Sequence, residues 1–258
     1  LVRFGDLPGD TAEPARYEGA IIDAVKRFQS RHGLLSDGIV GKATLAALEV
    51  PPHKRVRQIE LAMERIRWLP EWTGGRAILV NIPEFRLRGY ERDAGVAVLA
   101  MNVIVGQAIE TETPVFQGVM RYIEFKPYWN VPRSIARDEI VPKLRIDPGY
   151  LAEQDMEFVS IRRPKTVMTV VNEANLSAVL RGELRIRQRP GPKNALGDIK
   201  FAFPNDSSIY LHHTSSPRLF QRGRRDFSHG CIRVEEPVRL ARFVLAGRSD
   251  WTEERILE

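Results

Sequence analysis

The sequence predicts an α+β fold in which a mainly β domain follows a small helical module. Apolar residues recur at three- and four-residue intervals within the first fifty positions, a spacing typical of amphipathic helices. From Arg76 onward, short runs of β-branched residues are bounded by Gly, Pro or Asn, which is typical of strands. At 258 residues, the chain is long enough for two domains.

Composition places the chain among folded globular proteins. Hydrophobic residues make up 43% and charged residues 28%, and the 19 Gly and 17 Pro are dispersed. The longest apolar stretch, Val96 to Val105, contains Asn102 and is far shorter than the roughly 20 residues of a membrane helix. Because the chain starts at Leu1 without a leader-like segment, we expect a mature or trimmed export product.

The charge balance favours an anionic partner. Thirty-nine basic and 33 acidic residues give a net charge of +6. The basic residues are scattered, with local density only at Lys54–Arg57 and Arg222–Arg225, and no aromatic-interleaved motif accompanies them. The charge therefore suits an acidic polymer or an acidic lipid surface, and we expect no nucleic acid as a partner.

Two short helices around a loop are predicted for residues 1–50. Ile21, Val25 and Phe28 recur on one helical face that stops near Gly33, and the Asp37–Gly38 pair forms a turn before a second apolar stretch at 44–48. This segment resembles the peptidoglycan-binding repeat of bacterial wall enzymes in AVKRFQSRHGLLSDGIVGKATLAAL. The resemblance implies glycan binding, with a mere spacer as the alternative.

A connector helix is predicted for residues 51–75. Pro51 and Pro52 mark its start, and the pattern extends from about His53 to Leu69. One apolar face is formed by Val56, Ile59, Met63 and Ile66. The following Trp68 and Trp72 are expected to pack against the next domain.

The mainly β domain is predicted for residues 76–258. Strands are expected at RAILVNI, FRLRGYE and GVAVLAMNVIVG, and again at ELRIRQ, DIKFAF and SIYLHH, before a closing helix at PVRLARFVLAG. The prolines, clustered aromatics and helical periodicity between these two groups predict an insertion over the sheet, at about 125–185.

The segment from Tyr210 to Arg233, YLHHTSSPRLFQRGRRDFSHGCIR, contains the only cysteine and three of the five histidines. Nucleophilic attack on a carbonyl needs a thiolate, an imidazole to hold its proton and backbone donors for the oxyanion. Strand alternation places Tyr210 and His212 on one side. Gly230, directly before Cys231, allows consecutive amides to converge on one oxygen.

Two other interpretations of these residues remain. Zinc is disfavoured because only one thiolate is present and no H-E-x-x-H or C-x-x-C spacing brings ligands together. Alternatively, Cys231 is a small buried hydrophobe beside incidental histidines. We expect no metal and no organic cofactor.

The segment resembles the catalytic signature of L,D-transpeptidases, in which an upstream His precedes Ser/Thr-His-Gly-Cys, a hydrophobic residue and Asn/Arg. The matching residues here are His212 and then Ser228–Arg233. Further blocks, covering Arg55 to Pro237, resemble the larger periplasmic branch of that family: ERIRWLP, VNIPEFRLR, TPVF, PYWNVPRSI, QRPGPKNALG, YLH and RLF. The resemblance implies a β-sandwich or barrel catalytic domain with a capping insertion.

The resemblance assigns the catalytic roles residue by residue. Cys231 is then the nucleophile, and His212 is the general base that takes the thiol proton. The backbone carbonyl of His213 orients the base, and we expect the ring of His213 to face away from Cys231. The backbone amides of His229, Gly230 and Cys231 correspond to the oxyanion donors.

A second set of residues is expected to bind substrate. Arg233, two positions after the nucleophile, suits a substrate carboxylate and should favour the thiolate. A neighbouring arginine, Arg224 or Arg225, is expected either to help it or to be solvated or internally paired. Tyr210 would line the donor pocket, while Tyr128 and Trp129 resemble the capping element over the stem peptide; packing is the alternative role for Tyr210 and Trp129.

The implied reaction is attack of Cys231 on the bond between the L-centre of diaminopimelate and the terminal D-Ala of a tetrapeptide stem, followed by 3→3 cross-linking. The alternatives are L,D-carboxypeptidase activity, lipoprotein attachment to the wall through the same thioester, and a non-catalytic wall-binding protein. The last should lack Cys231 or His212. The resemblance also implies peptidoglycan stems as partners, carbapenems as covalent inhibitors and a periplasmic location, with an inner-membrane anchor upstream of Leu1 left open.

Overall fold

A computed structural model describes residues 1–9, 16–68, 75–92 and 94–257. Helices dominate its first part and strands its second, so the predicted α+β class is confirmed. In the described part of the chain, no helix has both the length and the apolar character needed to cross a membrane.

The first part contains helices α1 (Ala20–Arg31) and α2 (Lys42–Leu48), after a 3-10 turn at Val2–Phe4. Val25 and Phe28 are buried on the inner face of α1, as the helical spacing predicts. Gln29 is also buried, and its side-chain amide donates to Asp37 and Ile39 and accepts from the Gly38 amide. This glutamine therefore holds together the Asp-Gly turn that joins the two helices.

Helix α3 (Pro52–Arg67) begins at a proline, whose missing N–H costs nothing in the first turn. It ends two residues before the predicted Leu69, which lies outside the described residues, as does Trp72. Its predicted apolar face is solvent-exposed, and Trp68 is 74% exposed rather than packed. The exposed apolar residues of this face are Val56, Ile59, Met63 and Ile66.

Eight strands form the main sheet: β1 (Arg76–Asn81), β2 (Arg86–Glu91), β3 (Ala97–Gly106), β4 (Tyr122–Phe125), β9 (Ile199–Ala202), β10 (Leu211–His212), β11 (Asp226–Ser228) and β12 (Ile232–Val234). Their order is β1-β2-β3-β12-β10-β9-β4, and β11 pairs with β3 off this order. The β10–β12 and β11–β3 pairs are parallel and the others antiparallel.

One face of this sheet builds the main hydrophobic core. Helices α8 (Pro237–Leu245) and α9 (Glu253–Leu257) cover it, and Leu240 of α8 is fully buried there. Phe243 of α8 lies so close to Gly89 of β2 that a Cβ at that position would meet its ring at 2.9 Å. The closing helix predicted from PVRLARFVLAG is thus confirmed.

The insertion is a layered unit with its own core. Strands β5 (Trp129–Asn130), β6 (Met156–Ser160), β7 (Val167–Met168) and β8 (Leu184–Gln188) form a second sheet in the order β5-β8-β6-β7. The strand predicted at ELRIRQ is present, but it lies in this second sheet, so the insertion extends past the predicted end at about 185. Leu184 and Ile186 of β8 pack into the core of the insertion, because β8 pairs with β5 and β6.

Four short helices cover this second sheet: α4 (Arg133–Ile135), α5 (Val141–Ile146), α6 (Tyr150–Glu153) and α7 (Glu173–Arg181). A π-helical turn, Ala136–Ile140, joins α4 to α5. Wide turns of this kind are frequent at functional sites, and this one faces the cysteine turn described below. We refer to residues 129–188 as the cap.

Candidate active site

The cysteine and its neighbours emerge from the face of the main sheet that is opposite its core. Leu211 of β10 pairs with Ile232 of β12, and both are buried in the core. Side chains alternate along a strand, so the residues on either side of this pair point to the other face. These residues are Tyr210, His212, Cys231 and Arg233.

Contacts among these side chains agree with the strand register. The rings of Tyr210 and His212 lie with their centroids 5.6 Å apart. The Tyr210 carbonyl accepts the Ile232 amide proton at 3.1 Å, and the Tyr210 hydroxyl and the Cys231 thiol are hydrogen-bonded. Cys231 Sγ lies 3.9 Å from the Ser208 carbonyl oxygen and is neither sealed in the core nor fully exposed. A strand-borne imidazole and a partly accessible thiol therefore share one face.

The Cys231 thiol is protonated at neutral pH. Burial raises its pKa, and this effect outweighs the hydrogen bonds from Tyr210 and the positive charges of Arg233 and Lys200, which act in the opposite direction. The sequence led us to expect a thiolate stabilised by Arg233. The charge of Arg233 does lower the pKa of Cys231, but desolvation raises that pKa by more. The thiol therefore needs a base to remove its proton.

His212 is uncharged at neutral pH, so its ring has a lone pair for a proton, although its lowered pKa makes it a weaker base than an ordinary histidine. Burial, and secondarily the charge of Arg233, lower its pKa to about 3, while the backbone of His213 and Leu196 favours the protonated ring. The ring is 5% exposed, and its Nδ1 has no hydrogen-bond partner of normal geometry among the described residues. A neutral imidazole has one basic nitrogen and can accept the thiol proton.

The turn before the thiol requires glycine. Gly230 has φ = +108°, and a Cβ there would lie 3.1 Å from Ile209 Cδ1. Thr113 supports this turn from below: its buried hydroxyl accepts the Gly106 amide proton at 2.9 Å and donates to the Gly230 carbonyl at 2.7 Å. Thr111 likewise donates to the Ser228 carbonyl. Thr113 belongs to the TPVF block, but no role for it is predicted from the sequence.

The backbone amides of the turn differ in availability. The Gly230 amide donates to Ser228 Oγ at 3.1 Å, and that hydroxyl donates in turn to the Cys231 carbonyl. Gly230 is thus engaged within the turn, although the sequence placed it among the oxyanion donors. The amides of His229 and Cys231 are the better candidates for that role.

The three predicted arginines have different surroundings. Arg233 is largely buried, its Nε has no partner, and no carboxylate among the described residues lies within ion-pair distance of it. Arg224 forms a bidentate ion pair with Asp226. Arg225 is buried with its guanidinium bonded to carbonyls of Arg222 and Phe85 and to the side chain of Asn102. Only Arg233 is left with an unpaired cation on the cysteine face.

The two other histidines of the segment lie in separate environments. The ring of His213 packs against Gly197, and its Nδ1 lies 3.2 Å from the Asp198 carboxylate. His229 Nε2 lies 2.8 Å from Glu139 Oε1, in the π-helical turn of the cap. The side chain of His229 thus joins the cysteine turn to the cap, a contact with no sequence signal.

The cap also reaches the site through its first strand. The Trp129 indole is hydrogen-bonded to the Tyr210 hydroxyl, and since an indole only donates, Tyr210 accepts. Burial raises the pKa of Tyr210, so the hydroxyl stays neutral. Tyr128 is more exposed, and the Arg187 guanidinium carbon lies 4.2 Å from its ring centroid. Trp129 therefore lies beside the cysteine site and Tyr128 at the cap surface.

No metal site accompanies this arrangement within the described ranges. No group of three His, Cys, Asp or Glu residues there is placed to hold a metal ion.

Comparison with known families assigns the chain. Residues 75–251 match the model of the L,D-transpeptidase catalytic domain, which covers more than half of the protein. The chain belongs to the L,D-transpeptidase family. The spaced Cys231 and His212 of this family member lie within the matched range. Residues 1–48 match a second model, described as "Putative peptidoglycan binding domain".

A relative from Haemophilus influenzae (strain Rd) carries the name "Putative L,D-transpeptidase". It is 34% identical to this L,D-transpeptidase family member over 202 residues, which cover 77% of the present chain. The match covers 39% of the relative, so the chain spans about two fifths of that protein's length.

Proposed function

We propose that the protein is a peptidoglycan L,D-transpeptidase in which Cys231 carries an acyl group from one stem peptide to another. One observation supports this above the others: a partly accessible thiol and a neutral, buried imidazole share one face of the sheet. Family membership and the peptidoglycan-binding match support the substrate class.

In the first half-reaction, Cys231 Sγ attacks the carbonyl between the L-centre of diaminopimelate and the terminal D-Ala of a tetrapeptide stem. The thiol proton passes to His212, and the oxyanion is stabilised by turn amides, for which His229 and Cys231 are the candidates. The C–N bond then breaks, and His212 returns the proton to the D-Ala amine as it leaves. A thioester remains on Cys231.

In the second half-reaction, the side-chain amine of diaminopimelate on another stem attacks the thioester. The amine proton passes to His212, the C–S bond breaks, and the thiol is regenerated as the 3→3 amide forms. The energy of the broken amide is retained in the thioester, so no nucleotide is consumed. Attack by water instead gives L,D-carboxypeptidase activity, and attack by a lipoprotein amine gives wall attachment.

Arg233 is the proposed contact for a carboxylate of the donor stem. A guanidinium can bind a carboxylate through two parallel hydrogen bonds, and this one is largely buried and has an unpartnered Nε. Tyr210 and Trp129 line the same face, and Tyr128 lies at the cap surface, where the cap would cover the stem. Arg225 is assigned no substrate contact because both of its terminal guanidinium nitrogens already donate to Arg222, Phe85 and Asn102.

We also propose that the protein acts outside the cytoplasm, in the periplasm, because its substrate is the cell wall. The residue 1–48 segment would hold the enzyme on glycan strands. A role as a non-catalytic wall-binding protein is disfavoured by the presence of both Cys231 and His212.

Intact mass spectrometry after incubation with a carbapenem tests the nucleophile. The wild-type protein should gain one inhibitor mass, because the thiol opens the β-lactam amide and keeps the acyl group. Cys231→Ala should gain none. An unmodified wild-type protein, or equal labelling of both, contradicts the proposal.

Incubation with purified disaccharide tetrapeptide tests the reaction. A cross-linked dimer with loss of D-Ala indicates transpeptidation, and a shortened monomer alone indicates hydrolysis. His212→Ala should abolish both products, whereas the matched variant His213→Ala should retain them, because its ring packs against Gly197 and Asp198. Normal turnover by His212→Ala would exclude it as the base.

A further inference from the structure

Lys200 lies on the catalytic face of the sheet, although nothing in the sequence marked it. It pairs with His212 in the antiparallel β9–β10 register, while the next residue, Phe201, pairs with Leu211 and is buried in the core. Alternation therefore places Lys200 on the same side as His212 and Cys231. Its side chain is 19% exposed, so water screens its charge only partly.

Two contacts fix the ammonium group of Lys200. Its Nζ lies 5.0 Å from the centroid of the Tyr210 ring, a cation–π distance, and Tyr210 is hydrogen-bonded to the Cys231 thiol. The same Nζ lies 2.9 Å from Glu124 Oε2 on β4, whose register partner is Lys200. The ammonium thus lies between a carboxylate and the tyrosine that contacts the nucleophile.

The two charges have opposite effects on an anion formed at the thiol. A nearby cation stabilises it, and the positive charges of Arg233 and Lys200 both lower the pKa of Cys231 against the larger effect of burial. A carboxylate opposes it: the negative charge of Glu124 contributes to the raised pKa of Tyr210. Removing the Lys200 cation should therefore lower the reactivity of the sulfur, and removing the Glu124 carboxylate should raise it.

We propose that Lys200 is a positioning residue that acts on Cys231 by electrostatics, stabilising the sulfur anion formed during attack, and that Glu124 restrains this effect by holding and partly neutralising the ammonium. The inference rests on the proposed role of Cys231 as nucleophile. In the step concerned, the S–H bond breaks, its proton goes to His212, and Lys200 keeps its own proton throughout.

Alkylation by iodoacetamide measures this effect without the transpeptidase substrate. The reagent is uncharged, so its approach does not depend on Lys200, and Cys231 is the only cysteine. The rate constant of alkylation is measured by mass spectrometry from pH 5 to 10, because the thiolate is the reacting form. The variants are Lys200→Met, Glu124→Gln, the double variant and Lys200→Arg.

Lys200→Met should slow alkylation at pH 7 by about 3- to 10-fold and move the pH profile upward by up to about one unit, since it removes the cation and leaves Glu124 unpaired. Glu124→Gln should move the profile in the opposite direction. The double variant should lie between the two, and Lys200→Arg should restore most of the wild-type rate. Lys143→Met, which removes an exposed cation from the cap, is the matched control and should not change the profile.

A merely structural pair would give a different pattern, since breaking it from either side would loosen the site in the same way. Shifts in the same direction for Lys200→Met and Glu124→Gln, or no shift in either, overturn the inference. If Lys200→Met does not fold, two results still test the inference: faster alkylation of Glu124→Gln, and a rate close to that of the wild type for Lys200→Arg. If a carbapenem acylates the wild type but the alkylation profiles of the variants do not shift, only this inference is refuted. If Lys200→Met and Glu124→Gln shift the profile in opposite directions but no acylation occurs, only the proposed function is refuted.

Discussion

Replacing Thr113 with Val tests whether the segment beneath the cysteine turn holds that turn in place. The Thr113 hydroxyl is buried and connects the Gly106 amide to the Gly230 carbonyl. Val has nearly the same shape but no polar side-chain atom, so both backbone groups lose their partner. Each buried group left unsatisfied costs about 1–3 kcal/mol, so we expect a loss of about 2–6 kcal/mol in the free energy of unfolding.

Urea unfolding of the wild type, Thr113→Val and Thr113→Ser measures this loss. The Ser variant keeps the hydroxyl and loses one methyl group, which should cost only about 1 kcal/mol. Carbapenem acylation should also slow in the Val variant, because Gly230 directly precedes Cys231, the proposed nucleophile. If the unfolding free energy of the Val variant lies within about 0.5 kcal/mol of that of the Ser variant, the reasoning about this turn is wrong.

Three further predictions concern other parts of the fold. The pKa of His212 is lowered from its ordinary 6.5 to about 3, so on acidification the unfolded chain binds a proton at this residue before the folded protein does. The free energy of unfolding should therefore fall by up to about 1.4 kcal/mol per pH unit from pH 6.5 towards 3. In urea unfolding at pH 7 and at pH 5, the wild type should lose more stability between the two pH values than His212→Gln does. Gly230→Ala should lower the melting temperature by far more than Gly41→Ala, since of these two glycines only Gly230 has a positive φ and a close neighbour. An alanine with that backbone conformation is strained by about 1–3 kcal/mol. Equal shifts in the melting temperature of the two variants would contradict this. Gln29→Leu should leave the buried Gly38 amide unpaired and speed proteolysis of residues 16–50 under native conditions, and unchanged cleavage would argue against that role.

Much of the fold follows from local patterns. The spacing of Val25 and Phe28 predicted α1, the β-branched runs after Arg76 predicted the first three strands, and the last apolar pattern predicted α8. The pattern of LRIRQ also predicted a strand correctly, but not its sheet. Alternation specifies which side chains share a face, and it contains no information on which other strand lies alongside.

The candidate site divides in the same way. The spacing of His212 and Cys231 and the glycine at 230 could be found in the sequence because nucleophilic chemistry restricts the residue types. Thr113 and Glu139 could not, since a threonine or a glutamate is common on any surface and gains its role only from the chain segment that folding brings beside it. The sequence offers both Arg225 and Arg233 as candidate substrate contacts, with Arg233 favoured by its position, but it does not show that the terminal nitrogens of Arg225 are engaged by other groups.

The residue types and their order determined by themselves that the chain has a helical module, a strand-rich domain and a single cysteine within a segment that resembles the L,D-transpeptidase signature. Tertiary structure alone decided that burial raises the pKa of the Cys231 thiol and lowers that of the His212 imidazole. It also decided that the terminal nitrogens of Arg225 are engaged whereas the Arg233 Nε has no partner, and that Lys200 and Glu124 share the face of Cys231. The physical reason is that desolvation and Coulomb interactions depend on distance through space, and segments such as β4, β9 and β12 meet in this sheet although up to about a hundred residues separate them.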